Sequence, residues 1–174
     1  MRRSRRPMMV ALLVAVAVIA AACGSDGADS LGKSQPDPPA ERVDFRWDTI
    51  DGGTKALSDF PPGPVVVNFF ASWCPPCIAE MPDFEAVSQV FGTDVKFLGL
   101  ATTDNAERAR ALVAETGVTY EVGDDPAGDI FIQMGGFGMP TTVFVGADGF
   151  VTSVHSGRLS AEALTDKIND ELMP

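Results

Sequence analysis

Residues 64–82 read PVVVNFFASWCPPCIAEMP, and this segment joins a strand pattern directly to a helix pattern. The first half is a continuous run of β-branched and aromatic residues, which is typical of a strand buried on both faces. The second half, continued to Phe84, brings apolar residues at helical spacing. Cys74 and Cys77 therefore fall where a buried strand turns into a helix.

The rest of the 174-residue chain extends this pattern on both sides. Upstream, residues 43–60 alternate apolar and polar positions around Asp51-Gly52-Gly53, which predicts a hairpin. Downstream, strand and helix patterns alternate and end in an antiparallel hairpin, which predicts an α/β fold with helices flanking a buried, mixed central sheet. Further strands are predicted at 95–102, 118–122 and in a pair within 141–157. Further helices are predicted at 105–116, from Pro126 onward, and from 161 with Ser160 as N-cap. In the helix after Cys77, the residues expected to point inward are Ile78, Met81, Phe84, Val87, Val90 and Phe91.

The formal net charge of −11 argues against nucleic acid as a partner. Without the four arginines of residues 1–22, the remaining 9 basic and 24 acidic residues give −15. Phosphate binding requires a basic surface, which so acidic a chain does not provide.

The N-terminal 42 residues are expected to lie outside the folded domain. Residues 1–22 combine a basic start with an apolar run, as an export signal does, and the run is shorter than the roughly 20 residues of a membrane-spanning helix. AAAC at 20–23 resembles a bacterial lipobox, which implies lipid on Cys23. Residues 23–42 have the composition of a flexible tether, and a folded domain is expected from 43 to 174.

Three roles are possible for Cys74 and Cys77. A closed zinc site needs four ligands, and apart from Cys23 the chain offers only these two thiols and His155, its one histidine. A structural disulfide across so short a loop removes little chain entropy. A redox dithiol suits the position best, because free N–H groups at a helix start stabilise a thiolate. The spacing beside a βα pattern therefore favours thiol–disulfide exchange.

FFASWCPPC and MPTTVFV together resemble the thioredoxin-fold oxidoreductases, in particular their exported TlpA/ResA/DsbE-like branch. The resemblance covers residues 43–172 and implies a thioredoxin fold, with Cys74 as the attacking thiol and Cys77 as the resolving one. It also implies that Met139-Pro140 carries a cis peptide facing the dithiol, and that Pro82 is the proline inside the first helix. The residues implied to contact substrate are Trp73, Pro75, Pro76, Met139, Pro140, Thr141 and Gly157.

The proton acceptor for the resolving thiol is less certain from sequence. Cytoplasmic thioredoxins have a buried aspartate where this chain has Asn68, which carries no basic group. Glu80 matches a glutamate of the ResA-like branch, and a carboxylate one helical turn after Cys77 could accept the proton. Helix spacing alone leaves the alternative that Glu80 is an ordinary exposed acid.

The expected function is that of a membrane-tethered, extracytoplasmic thiol–disulfide oxidoreductase that requires no bound cofactor. Its expected partners are exported protein thiols or disulfides, apocytochrome c among them, and a membrane redox protein that resets the dithiol. The alternative is a copper metallochaperone that uses Cys74, Cys77 and His155. The acidic group Asp124, Asp125 and Asp129 lacks the spacing of a calcium loop and is interpreted as a turn and helix cap.

Overall fold

The computed structural model describes residues 37–173. These residues form one seven-stranded sheet in the order β2-β1-β5-β4-β3-β6-β7. The strands are β1 (Arg46–Thr49), β2 (Thr54–Ala56), β3 (Val65–Phe70), β4 (Lys96–Thr102), β5 (Glu121–Asp125), β6 (Thr141–Val145) and β7 (Val151–Ser156). The helices are α1 (Pro75–Phe91), α2 (Ala106–Thr116), α3 (Asp129–Gln133) and α4 (Ala161–Leu172). None of these helices is long and apolar enough to cross a bilayer.

The centre of the sheet is parallel and its two sides are antiparallel. Strand β3 pairs in parallel with β4, and β4 with β5, as βα crossovers require. Strands β6 and β7 continue antiparallel beyond β3, and β1 and β2 do so beyond β5. The mixed sheet with an N-terminal hairpin is therefore as predicted.

Two apolar layers hold the helices on the sheet. Alternate β3 residues such as Val66 pack with Phe84 of α1 and Leu164 of α4 on one face. The intervening residues, such as Val67, pack with Met134 and the hairpin residue Trp47 on the other face. All six residues of β3 are buried, as the apolar run predicted.

The hairpin is fastened to the sheet by a close approach between Trp47 and Gly123. A Cβ atom placed on Gly123 would lie 2.0 Å from Trp47 Cδ1 and 2.9 Å from Asp48 O. Only a residue without a side chain lets the indole ring lie against the β5 backbone in this way.

Several predicted boundaries need correction. The helix expected from Pro126 begins at Asp129, because Gly128 adopts a left-handed φ of 76° and the Asp125 carboxylate accepts hydrogen bonds from the N–H groups of Ile130 and Phe131. The strand expected at 118–122 lies at Glu121–Asp125. Val90, expected to point inward, is 79% exposed in the last turn of α1.

Other boundaries agree with the sequence. Helix α2 ends at Gly117, which is left-handed as a helix terminator often is. Ser160 caps α4 by accepting a hydrogen bond from Ala163 N. The predicted signal peptide and the lipidated Cys23 fall outside the described residues, as does the predicted tether up to residue 36.

Candidate active site

The two cysteines lie at the point where β3 passes into α1, and they are joined by a disulfide. Cys74 is the N-cap of α1, and its Sγ accepts a hydrogen bond from Cys77 N at 3.3 Å. Pro75 and Pro76 open the helix, where the N–H that proline lacks has no helical partner in any case. The local sequence thus places a sulfur atom at the positive end of a helix, where the N–H of Cys77 donates to it.

The cysteines differ slightly in depth. Cys77 is fully buried, whereas Cys74 retains 4% exposure at the edge of a surface groove. Cys77 is thus the deeper of the two, although Cys74 is also largely covered.

A clamp between two loops holds the segment that precedes Cys74. Ser72 donates to the Asp104 carboxylate through its backbone N–H at 2.5 Å and its hydroxyl at 2.8 Å. The Trp73 indole N–H donates to Thr103 O at 3.2 Å. Thr103 has a φ of 49°, an uncommon conformation for a β-branched residue. Sequence reasoning missed this clamp, because nothing in the sequence shows that residues 72 and 104 meet.

Glu80 is fully buried, so the interpretation as an exposed helix acid is wrong. Its Oε1 accepts a hydrogen bond from Asn68 Nδ2 at 2.9 Å, and its Oε2 accepts one from Leu159 N at 3.0 Å. Burial disfavours the charged form and raises the pKa of Glu80 to about 7, against the lowering effect of these hydrogen bonds and of Arg158. Glu80 therefore exchanges a proton in the neutral pH range.

The loop that precedes β6 carries the expected cis peptide, between Met139 and Pro140. Gly157 N donates to Pro140 O at 2.8 Å, so the segment after β7 is pinned to this loop. Thr141, expected to contact substrate, has a buried side chain that donates to Gly138 O at 2.5 Å. Its side chain braces the cis loop and does not face solvent.

An apolar groove of about 480 Å³ runs beside Cys74. Of the residues expected to contact substrate, Trp73, Pro75, Pro76 and Met139 line it. Pro140, Thr141 and Gly157 are not among the lining residues. The groove adds residues that the sequence did not suggest: Thr102, Thr103, Phe131, Phe137 and Gly138. Phe137, which follows two glycines, is 44% exposed.

His155 and the acidic group of residues 124–129 are not among the residues that line the groove beside Cys74. His155 lies in β7, and within residues 37–173 no three His, Cys, Asp or Glu side chains converge where they could hold a metal. Asp125 is buried and caps α3, as its interpretation as a cap required.

Comparison with known proteins assigns this site to a family. The model of the AhpC/TSA family matches residues 39–154. The chain belongs to the AhpC/TSA family. Among curated proteins, it is 31% identical to the thiol:disulfide interchange protein HelX of Rhodobacter capsulatus, over 60% of this chain and 58% of HelX. It is 29% identical to the thiol-disulfide oxidoreductase ResA of Oceanobacillus iheyensis, over 91% of this chain and 84% of ResA.

Solved structures agree with this assignment. The structure of MTB dsbF superposes with a TM-score of 0.67 at 28% identity, covering 72% of this chain and 93% of dsbF. The exposed lipoprotein thioredoxin Etrx1 of Streptococcus pneumoniae superposes with a TM-score of 0.63 at 27% identity, covering 74% of this chain and 99% of Etrx1. The thioredoxin-like fold is thereby confirmed. Homologues and structural neighbours are thiol–disulfide oxidoreductases of the thioredoxin type, which confirms the enzyme class expected from the cysteine motif.

Proposed function

We propose that this chain is an extracytoplasmic thiol–disulfide oxidoreductase, tethered to the membrane by lipid on Cys23, that reduces disulfides in exported proteins. The observation that carries the proposal is the position of Cys74. Its sulfur caps α1 at the edge of an apolar groove, with Cys77 one turn behind it and fully buried.

The reaction begins with Cys74. In the reduced enzyme its thiolate is stabilised by the helix N-terminus, which makes it the better nucleophile. It attacks one sulfur of a substrate disulfide, the substrate S–S bond breaks, and a mixed disulfide forms between Cys74 and the substrate. The displaced substrate sulfur leaves as a thiolate and takes a proton from solvent.

Resolution requires Cys77 to lose its proton. We assign the acceptor as Glu80, which lies one helical turn further along α1 and has a pKa of about 7 because it is buried. The Cys77 thiolate then attacks Cys74 Sγ, the bond to substrate breaks, and the Cys74–Cys77 disulfide forms. Glu80→Gln removes the base, and we expect resolution to slow by up to about a hundredfold, in the lower range for a general base.

The groove provides recognition of an extended, apolar substrate segment. Trp73 and Phe137 line it with exposed rings, and Met139 adds apolar surface next to the cis peptide. Met139 lies outside the regular strands and helices. Within residues 37–173, its backbone forms no hydrogen bond to another backbone group. It is therefore free to pair with a substrate strand, and apocytochrome c segments that contain a disulfide are suitable candidates.

The enzyme needs a source of electrons, because each turnover leaves the dithiol oxidised. A membrane redox protein with its own dithiol would restore it by the same exchange chemistry. Location at the membrane surface supports such a pairing, and the lipobox-like AAAC sequence at 20–23 is the feature that supports the location.

The direction of electron transfer is tested by the reduction potential of the dithiol, measured against glutathione buffers. A reductant is expected near the thioredoxin value of about −270 mV, whereas a value near about −120 mV would mark an oxidant and overturn the proposed direction. The anchor is tested by Cys23→Ala, which should move the protein to the soluble fraction or leave an uncleaved precursor. Unchanged membrane-bound mature protein would exclude lipid at Cys23.

A further inference from the structure

A row of polar residues crosses the sheet beneath α1 and α4. In the strand register Asn68 of β3 pairs with Thr142 of β6, and Thr142 pairs with His155 of β7. Directly paired residues project from the same face of a sheet. That face is the one covered by α1, because Asn68 donates to Glu80. The neighbouring row on this face is apolar on β3 and β6, where Val66 pairs with Phe144, and ends in Ser153 on β7. On β3 and β6 the pair Asn68 and Thr142 is therefore a polar exception beside an apolar pair.

Two oxygen atoms in this row lack a partner. Asn68 Oδ1 and Thr142 Oγ1 are buried, and neither forms a hydrogen bond within the described part of the chain. A buried polar group left unpaired destabilises the fold, and ordered water commonly supplies the missing partner. Paired residues on adjacent strands have Cβ atoms about 5 Å apart, a spacing that one bridging water molecule can fill. The two unpaired oxygens therefore indicate a buried water site between β3 and β6.

The row of Asn68, Thr142 and His155 lies between a buried acid and the edge of the sheet. At the inner end is the Glu80 carboxylate, fully enclosed, with one oxygen on Asn68 and the other on Leu159 N. At the outer end is His155, half-buried on β7, which is an edge strand of the sheet. A buried acid that accepts a proton in every turnover must also release it, and the row runs from Asn68, which contacts this acid, to the sheet edge.

We propose that a buried water, Thr142 and His155 form a proton path between Glu80 and solvent. This inference rests on the proposed role of Glu80 as proton acceptor. The proposed water bridges Glu80, Asn68 Oδ1 and Thr142 Oγ1, and the Thr142 hydroxyl turns to the His155 imidazole beside it in the strand register. Protonated Glu80 gives its proton to this water, the water gives one to the Thr142 hydroxyl, and that hydroxyl gives its own to the imidazole of His155. Each carrier regains the proton that it passes on, and the net result is transfer of one proton from Glu80 to His155 and then to solvent. Asn68 orients the water through Oδ1 and carries no proton itself.

The surrounding charges suit this direction of transfer. Arg158 and Asp83 act on Glu80 with opposite signs, and burial is the larger effect on its pKa. Burial and Lys167 lower the pKa of His155, so the imidazole releases a proton readily at neutral pH. Tyr120 is also near, but burial, Glu80 and Glu85 raise its pKa, so its phenol does not act as the neutral-pH outlet.

The experiment compares disulfide formation with proton release. The reduced protein is mixed with 5,5′-dithiobis(2-nitrobenzoate), whose aromatic thiol leaves as a coloured anion and does not take up the proton from Cys77. Release of the second aromatic thiol reports resolution, and a pH-indicator dye in weak buffer reports arrival of the proton in solution. The two signals should coincide in the unaltered protein.

The variants Thr142→Val and His155→Gln should each delay the dye signal at least about tenfold behind resolution. Thr152→Val is the matched control, because this β7 hydroxyl donates to Phe144 O and lies outside the row. It should leave the two signals coincident. A structural defect alone would slow both signals together and would not separate them.

Coincident signals in both row variants would overturn the proton path. Glu80→Gln distinguishes this outcome from failure of the proposed function. If Glu80→Gln slows resolution while the row variants show no lag, Glu80 is the base and its proton leaves by another way. If Glu80→Gln does not slow resolution, the assignment of the base itself fails and the path fails with it.

Discussion

Replacing Glu80 with glutamine should remove a large pH dependence from the stability of the oxidised protein. The glutamine keeps the shape of the side chain but cannot ionise. Its oxygen can accept from Leu159 N, and its amide can donate to Asn68 Oδ1, which has no partner among residues 37–173 in the present arrangement. The substitution therefore exchanges one set of buried hydrogen bonds for another.

The magnitude follows from the pKa of Glu80, which rises from an ordinary 4.5 to about 7 in the fold. The folded chain holds this proton more tightly than the unfolded chain does. The resulting stabilisation is full below about pH 4.5 and is lost as the pH rises through 7. The difference corresponds to about 3 kcal/mol, at about 1.4 kcal/mol per pKa unit. Between pH 4 and pH 8, the unaltered protein should lose about 3 kcal/mol more than Glu80→Gln.

Urea unfolding of the two oxidised proteins across this pH range measures the difference. Other shifted groups, such as Asp124 and His155, contribute to both curves, so the difference between the curves isolates Glu80. Parallel curves would refute the reasoning, because they would mean that Glu80 ionises as readily in the fold as in the unfolded chain.

Three further results are expected. Cys77→Ser should accumulate mixed disulfides with partner proteins while Cys74→Ser should not, and equal trapping by both, seen on non-reducing gels, would reverse the attack order. Gly123→Ala should lower the free energy of unfolding by about 3 kcal/mol, because the new methyl group would lie 2.0 Å from the buried Trp47 indole. Urea unfolding measures this loss. Gly138→Ala is the control, because its new methyl group would meet nothing within 4 Å. Phe137→Ala should lower kcat/KM for an apolar disulfide peptide about fivefold, by removing part of the groove, and should leave the rate with glutathione unchanged; equal losses with both substrates would contradict a role in recognition.

The sequence predicts those parts of the fold that depend on neighbouring residues. The run of six buried residues in β3, the caps at Cys74 and Ser160, and the end of α2 at Gly117 each follow from local patterns. The start of α3 does not, because it depends on the Asp125 carboxylate folding back onto later N–H groups. Val90 fits the helical period, but in the last turn of α1 it is Phe91 that packs against the core, and Val90 is exposed.

The same distinction applies to the site. The pair Cys74 and Cys77 could be found from spacing alone, and the cis peptide before Pro140 from the resemblance. The direction of Glu80 could not, because it is set by Asn68, twelve residues earlier, and by Leu159, 79 residues later. Phe137 lines the groove beside Cys74 only because of the tertiary structure, so no local pattern marks it.

The contact between Trp47 and Gly123 has a consequence for how related sequences can diverge. The indole fills the space of an absent side chain, so neither position can change freely while the other stays as it is. A larger residue at 123 requires a smaller one at 47, and a smaller residue at 47 leaves a cavity that only a larger residue at 123 can fill. The two sites should therefore covary as a pair across descendants of this chain, and an evolutionary path from one pair to the other must pass through a destabilised intermediate.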